Sequence, residues 1–197
     1  MLASMANHLG KLLARYGLPV CCLTVFAGVQ VPPVRAQAGS AAPVSTAVAN
    51  PTYVSIPMEV TVSRPAAEVW KRIGKYCDIG EWMQVPCTIT AGKDGEFGAV
   101  RTVANEVLVG KTELSYTYTQ PVREGRPYNL YHGTLEARPV TATTSKLIYT
   151  LVYDNSMLPD DAARERDMAQ RRARFTQLLE NMKILAEGGK LPGAPKP

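Results

Sequence analysis

From Tyr53 to Ser63 the apolar residues fall on every second position: Val54, Ile56, Met58, Val60 and Val62 alternate with more polar neighbours. That period predicts a half-buried strand with its other face to water, and Pro57 restricts it to an edge or a bend. Ser63-Arg64-Pro65-Ala66-Ala67-Glu68-Val69-Trp70 then reads as a helix start, with Ser63 able to cap and Pro65 near the first turn. The helix runs to about Tyr76 with Val69, Trp70 and Ile73 inward, and a second short one covers Asp78 to Met83. Period-two segments follow at Thr88–Ala91, Gly98–Ala104, Glu113–Gln120, Tyr128–Arg138 and Lys146–Asp154, with turns at Gly92-Lys93-Asp94-Gly95 and Glu124-Gly125. The last pattern is helical, Pro159 to Glu187. Asp160, Asp161, Glu165 and Asp167 suit its positive end, and Gly188-Gly189 supplies the stop. Its second half carries an apolar stripe of Phe175, Leu178, Leu179, Met182, Leu185 and Ala186, whereas Arg164 to Arg174 is charged on nearly every face. The order of elements gives an α+β fold: a curved antiparallel sheet of about six or seven strands wrapped around a long C-terminal helix, with two short helices after the first strand.

Charge and composition change this picture mainly at the N-terminus. Residues 1–38 hold Lys11, Arg15 and Arg35 and no acid, so they account for +3 of the formal +5; the remaining +2 is too mild to point to nucleic acid. Tyr16 to Val31 is a mostly apolar run behind that positive region, and Ala36-Gln37-Ala38 is a small-x-small cleavage pattern. Residues 1–38 therefore read as an export signal, cut after Ala36 or Ala38, which predicts a periplasmic or secreted protein without stable membrane insertion after cleavage. A retained anchor and a lipoprotein site at Cys21 are the alternatives. The run is short for a span and holds Pro19 and Gly28, and Leu18-Pro19-Val20-Cys21 has Val where a small residue is expected. Residues 39–52 are uncharged Ala, Ser, Pro, Val and Thr and read as a flexible linker; 188–197 have the same texture and read as a disordered tail, leaving 53–187 as the domain. Export leaves Cys77 and Cys87, an even pair in an oxidising compartment. That suggests a disulfide, with two buried thiols as the alternative.

Candidate chemistry is sparse. Past residue 38 the single histidine is His132, which excludes a histidine metal cluster; strand parity puts it opposite Tyr131, on the solvent face. Gly110-Lys111-Thr112 lacks the first glycine of a phosphate loop and is followed by a strand pattern where a helix should begin. The tyrosines carry more. Leu114, Tyr116, Tyr118, Tyr131, Tyr149 and Tyr153 fall on apolar strand faces, toward a helix face bearing Phe175, Leu179 and Met182. Ordinary core packing explains some of them, but together they make an apolar pocket with hydroxyl handles. Arg101, with the parity of Ala99 and Val103, is the cation that would pair with a carboxylate or phenolate ligand. Glu106 and Glu113 are counter-charge candidates that otherwise read as solvated. In Asp160–Glu187 six acids balance six bases, so Arg171-Arg172-Ala173-Arg174 reads as a solvated helix face.

Val62-Ser63-Arg64-Pro65-Ala66-Ala67-Glu68-Val69-Trp70, Ile79-Gly80-Glu81-Trp82, Gly98-Ala99-Val100-Arg101 and Leu114-Ser115-Tyr116-Thr117-Tyr118 together resemble the motifs of the START-like superfamily called SRPBCC, in its polyketide cyclase/dehydrase and lipid-transport branch. The resemblance spans about Ile56 to Glu187. It implies a helix-grip fold with a deep cavity between sheet and C-terminal helix, holding a hydrophobic or amphipathic small molecule; separately, the sequence leads us to expect no cofactor and no metal. One departure is the short span Thr102 to Leu114 between the V-R and Y-x-Y strands, where the family carries a longer hairpin; the cavity mouth is expected to be trimmed there. The leading expectation is an exported binding protein for a lipid, isoprenoid or aromatic polyketide-like compound. A cyclase/dehydrase-type enzyme using cavity tyrosines and Arg101 is one alternative, and an envelope accessory protein acting through its surface is another.

Overall fold

Period-two burial recurs along each long strand. The computed structural model describes residues 48 and 50–193, all within the unit Val44–Pro197. The expected export signal, most of the expected linker and the end of the expected tail lie outside the described residues. β1 (Tyr53–Val62), β2 (Ile89–Ala91), β3 (Val100–Arg101), β4 (Glu106–Lys111), β5 (Ser115–Thr119), β6 (Asn129–Pro139) and β7 (Ser145–Asp154) form one antiparallel sheet in the order β1-β7-β6-β5-β4-β3-β2. One face is closed by α1 (Ala66–Ile73), α2 (Ile79–Met83) and the long α3 (Asp161–Ala186). Leu147, Tyr149, Leu151 and Tyr153 alternate inward along β7, all fully buried, as the pattern predicts. Pro57 is tolerated because β1 is an edge strand. Its carbonyl points outward to accept from Arg172 Nη1 at 2.9 Å, so the missing N–H falls on the unpaired side.

Three features differ from the sequence reading. The Gly98–Ala104 segment is a strand only at Val100–Arg101; Ala104 and Asn105 then adopt φ of 52° and 54° and turn the chain into β4, a strand the pattern did not reveal. Left-handed conformation at two successive residues is the geometry of a tight hairpin, and Asn105 tolerates it where most residues do not. The segment Thr102–Leu114 is therefore a hairpin arm of the sheet. Second, α3 begins at Asp161 rather than at Pro159, and Asp160 caps it: its backbone is extended and its carboxylate accepts from Ala163 N at 2.7 Å. The other end is as expected, Gly188 at φ 90° with the Gly188 and Gly189 amides returning to Leu185 and Ile184. Third, the tail expected to be free from 188 is packed as far as Leu191, 7 % exposed against the core, while Gln84 Nε2 donates to the Pro192 carbonyl. A leucine against apolar neighbours outweighs the loop-like composition around it. At the front, Thr52 is already pinned: its amide donates to Asp154 Oδ1 and its carbonyl accepts from Asn155 N.

Candidate functional site

The β3–β4 hairpin places Arg101 directly across from Glu106. Arg101 is wholly buried, and its Nε and Nη2 reach Glu106 Oε2 at 2.7 and 2.5 Å while Nη1 donates to the Tyr76 carbonyl at 2.6 Å. Its guanidinium lies over the rings of Tyr76 and Tyr118, 4.2 and 4.9 Å from their centroids. A buried guanidinium needs partners for its charge and donors; here Nε and Nη1 are hydrogen-bonded and Nη2 is ion-paired with Glu106. Arg101 points inward as parity predicts, but it is committed to Glu106 and unavailable as a ligand's counter-ion. Of the two readings of Glu106, counter-charge and solvated acid, the structure gives the first: it is 3 % exposed and paired with Arg101, because the turn at Ala104-Asn105 folds it back over that side chain. Burial pushes its carboxyl above the usual range, against the pull of Arg101 and of a hydrogen bond from Gln120 Nε2 at 2.9 Å.

Glu106 forms part of the wall of a cavity of about 440 Å³ between the sheet, α2 and the first half of α3. Tyr118, Tyr131, Tyr149 and Phe175, four of the expected residues, line it. The Tyr118 and Tyr149 hydroxyls are 2.8 Å apart, and the Tyr149 and Phe175 rings 4.8 Å. Burial raises the phenol pKa of both Tyr118 and Tyr149 well above the ordinary value, so these hydroxyls keep their protons. Two sequence-silent features let the rings in. Gly133 faces Tyr118 across the β5–β6 ladder with no side chain to obstruct it, and a bulge between Asn129 and His132, with Leu130 at φ 50°, marks where Tyr131 joins the wall.

The other expected residues lie elsewhere. Tyr153 is behind the wall, its hydroxyl donating to Asp167 Oδ2 at 2.6 Å. Tyr116 belongs to a second concavity of about 420 Å³, between α1 and β4–β5, where it meets Trp70 and Tyr76. Leu114 packs half-buried against the core outside both hollows. Leu179 and Met182, 1 % and 0 % exposed, are packed core and not cavity wall. The reason is compositional. At Leu179 and Met182 the apolar stripe of α3 is packed in the core, and the tyrosine-walled cavity lies further toward the helix N-terminus, beside more polar side chains.

That polar half brings in residues the sequence reading set aside as a solvated face. Arg171 is half-buried, held by Asp167 at 2.9 and 3.1 Å and lying 4.5 to 5.5 Å from the ring centroids of Tyr153, Tyr128 and Tyr131. Arg126 and Arg174 stand exposed at the mouth. Tyr128 donates to Gln120 Oε1 at 2.7 Å, so Tyr128, Gln120, Glu106 and Arg101 form one continuous hydrogen-bonded line into the interior. The i, i+4 pairing of Asp167 with Arg171 was a legible signal; the hairpin that buries Glu106 was not. Ile79 and Met83 of α2 close the inner side. A disulfide between Cys77 and Cys87, Cα atoms 5.5 Å apart, ties the chain before α2 to the segment leading into β2. His132 lies on the opposite sheet face, with Nδ1 2.9 Å from the Leu130 carbonyl.

No protein-family model matches the sequence, and no curated protein matches it either. Solved structures do match in shape. A protein of Thermobifida fusca solved by NMR is 23 % identical, with a TM-score of 0.57 over 70 % of this chain and 97 % of that one. Truncated norcoclaurine synthase from Thalictrum flavum is 10 % identical at a TM-score of 0.53 over 73 % and 99 %. The di-domain ARO/CYC BexL of the BE-7585A biosynthetic pathway is 17 % identical at 0.52, over 68 % of this chain and 46 % of that one. In this chain seven antiparallel strands grip a long C-terminal helix, and its likeness to these structures shows a helix-grip fold.

Proposed function

We propose that this chain is an exported binding protein for a hydrophobic or amphipathic small molecule, held between the sheet and α3. The observation that carries the reading is the cavity of about 440 Å³, walled by Tyr118, Tyr131, Tyr149 and Phe175 and floored by the buried Glu106. Its size is within the range of small-molecule sites, and aromatic walls alongside charged and amide side chains suit a ligand with both apolar and polar parts. The N-terminal pattern and the Cys77–Cys87 disulfide support export. Native mass spectrometry of protein recovered from the exported fraction tests both halves. A mature chain lacking residues 1–36 or 1–38 and carrying a small-molecule adduct is expected; a retained Met1, or a bare chain that also fails to take up N-phenyl-1-naphthylamine, refutes the corresponding half.

A cyclase/dehydrase-type activity is the second reading, and Glu106 favours it. A buried carboxyl with a raised pKa, beside protonated phenols in a cavity, is the type of group that moves protons to and from a carbonyl compound. Arg101 supports this reading only indirectly, by holding Glu106 in place.

A further inference from the structure

Polar groups are unevenly distributed along the cavity, and their remaining hydrogen-bonding capacity can be counted. An ionised carboxylate offers about four acceptor positions. Glu106 uses one at Oε2 for the hydrogen bond from Arg101 Nε, with Nη2 ion-paired to the same oxygen, and one at Oε1 for Gln120, which leaves a position open at Oε1. Glu106 and Gln120 both face the cavity, so a donor brought by a ligand can fill that position. At the mouth the balance is opposite. Of the charged side chains that line the cavity, Glu106 is neutralised by Arg101 and Asp167 by Arg171. Arg126 and Arg174 have no carboxylate within ion-pair distance among the described residues, so two positive charges are left over at the open end. The rings of Tyr118, Tyr131, Tyr149 and Phe175 line the same cavity.

From this we infer that the ligand is an aromatic acid with a hydroxyl group at its far end: hydroxyl inward on Glu106, rings against the tyrosines, carboxylate outward at Arg126 and Arg174. The inference rests on the binding reading above and narrows it to a chemical class. A purely apolar lipid would leave the Glu106 acceptor desolvated and unmet, at a cost, whereas an anion at the mouth gains a charge-assisted contact that remains partly exposed to solvent.

Three naphthalenes that differ by one group each test it by fluorescence titration at neutral pH: 6-hydroxy-2-naphthoate, 2-naphthoate without the hydroxyl, and 2-naphthol without the carboxylate. On the wild-type chain the hydroxynaphthoate should bind about tenfold more tightly than either relative, the typical effect of one charge-assisted hydrogen bond. Arg126→Gln with Arg174→Gln, both exposed positions, should reduce hydroxynaphthoate affinity to that of 2-naphthol and leave 2-naphthol unchanged. Glu106→Gln should erase the advantage of the hydroxyl. Should that variant not fold, the wild-type comparison of hydroxynaphthoate with 2-naphthoate decides the same point. Equal affinity for those two overturns the inner contact, and equal affinity for hydroxynaphthoate and 2-naphthol overturns the outer one. If none of the three binds while N-phenyl-1-naphthylamine does, the chemical class is wrong and the binding reading stands; if that probe also fails, the binding reading falls with it.

Discussion

A Cβ placed on Gly133 would stand 2.4 Å from both Cζ and the hydroxyl oxygen of Tyr118, a separation that side-chain carbons do not tolerate. Tyr118 is buried, and the one open side of its ring is the cavity it lines. Gly133→Ala should therefore displace the ring, break its hydroxyl contact with Tyr149 and cost about 1–3 kcal/mol, the usual range for overpacking. Urea unfolding together with uptake of N-phenyl-1-naphthylamine checks this, and a variant with wild-type values for both would show that the ring is not held there. Nothing in Tyr131-His132-Gly133 announces that role, since a glycine within a strand pattern signals a close approach without saying to what. Arg101 shows the same limit from the other side. Alternation correctly turned it inward, but its partner comes from a turn at Ala104-Asn105 whose residues give only a weak signal. Once that turn is missed, Glu106 reads as one more surface acid.

Along α3 two different jobs succeed each other within a single helix. Leu179 is packed on every side, so Leu179→Ala should cost about 2–5 kcal/mol and act on binding only through stability. Phe175, half-buried and in contact with Tyr149, already borders empty space. Phe175→Ala should cost less than the roughly 3–5 kcal/mol of a fully packed phenylalanine while weakening uptake of N-phenyl-1-naphthylamine. Thr117→Ala, on the far face of the sheet where its hydroxyl meets Thr134, should leave uptake unchanged. If Phe175→Ala unfolds the domain, or leaves uptake intact, the residue is plain core. The helix itself was legible from its period and its glycine stop, as were α1, α2 and the long strands. The position of the cavity along the helix was not. Hydrophobic periodicity finds the face that closes, whereas a cavity forms where closure fails, here beside Asp167, Gln170, Arg171 and Arg174.

For the whole molecule, the Cys77–Cys87 bridge and the tyrosine core set the conditions under which the fold survives. The bridge closes a loop with a sequence separation of 10, so replacing both cysteines by serine should lower stability by about 2–3 kcal/mol. It should also loosen α2, which contributes Ile79 and Met83 to the cavity; an unchanged urea midpoint would remove the bridge from the account.

The tyrosines act in the alkaline range. Tyr76, Tyr116, Tyr118, Tyr131, Tyr149 and Tyr153 all have phenol pKa values raised above the ordinary 10.0, in each case first of all by burial. A phenol whose folded-state pKa exceeds its unfolded value holds its proton more tightly in the folded chain. Its stabilising contribution is therefore complete below pH 10.0 and is lost as pH climbs from there toward the folded-state value. Because the rings contact one another, Tyr118 with Tyr131 and Tyr131 with Tyr153, ionising one would place a charge against its neighbours in an apolar interior. The cluster should accordingly resist ionisation while the fold lasts and then ionise together as the fold opens. In an alkaline titration, the phenolate absorbance of these six should rise in one cooperative step that coincides with loss of the far-ultraviolet circular dichroism. Guanidinium-unfolded chain should instead show the ordinary broad titration near pH 10.0. If the full phenolate signal developed gradually with the circular dichroism intact, the tyrosines would be reaching solvent in the folded state, and the enclosed aromatic wall on which the ligand site depends would not exist.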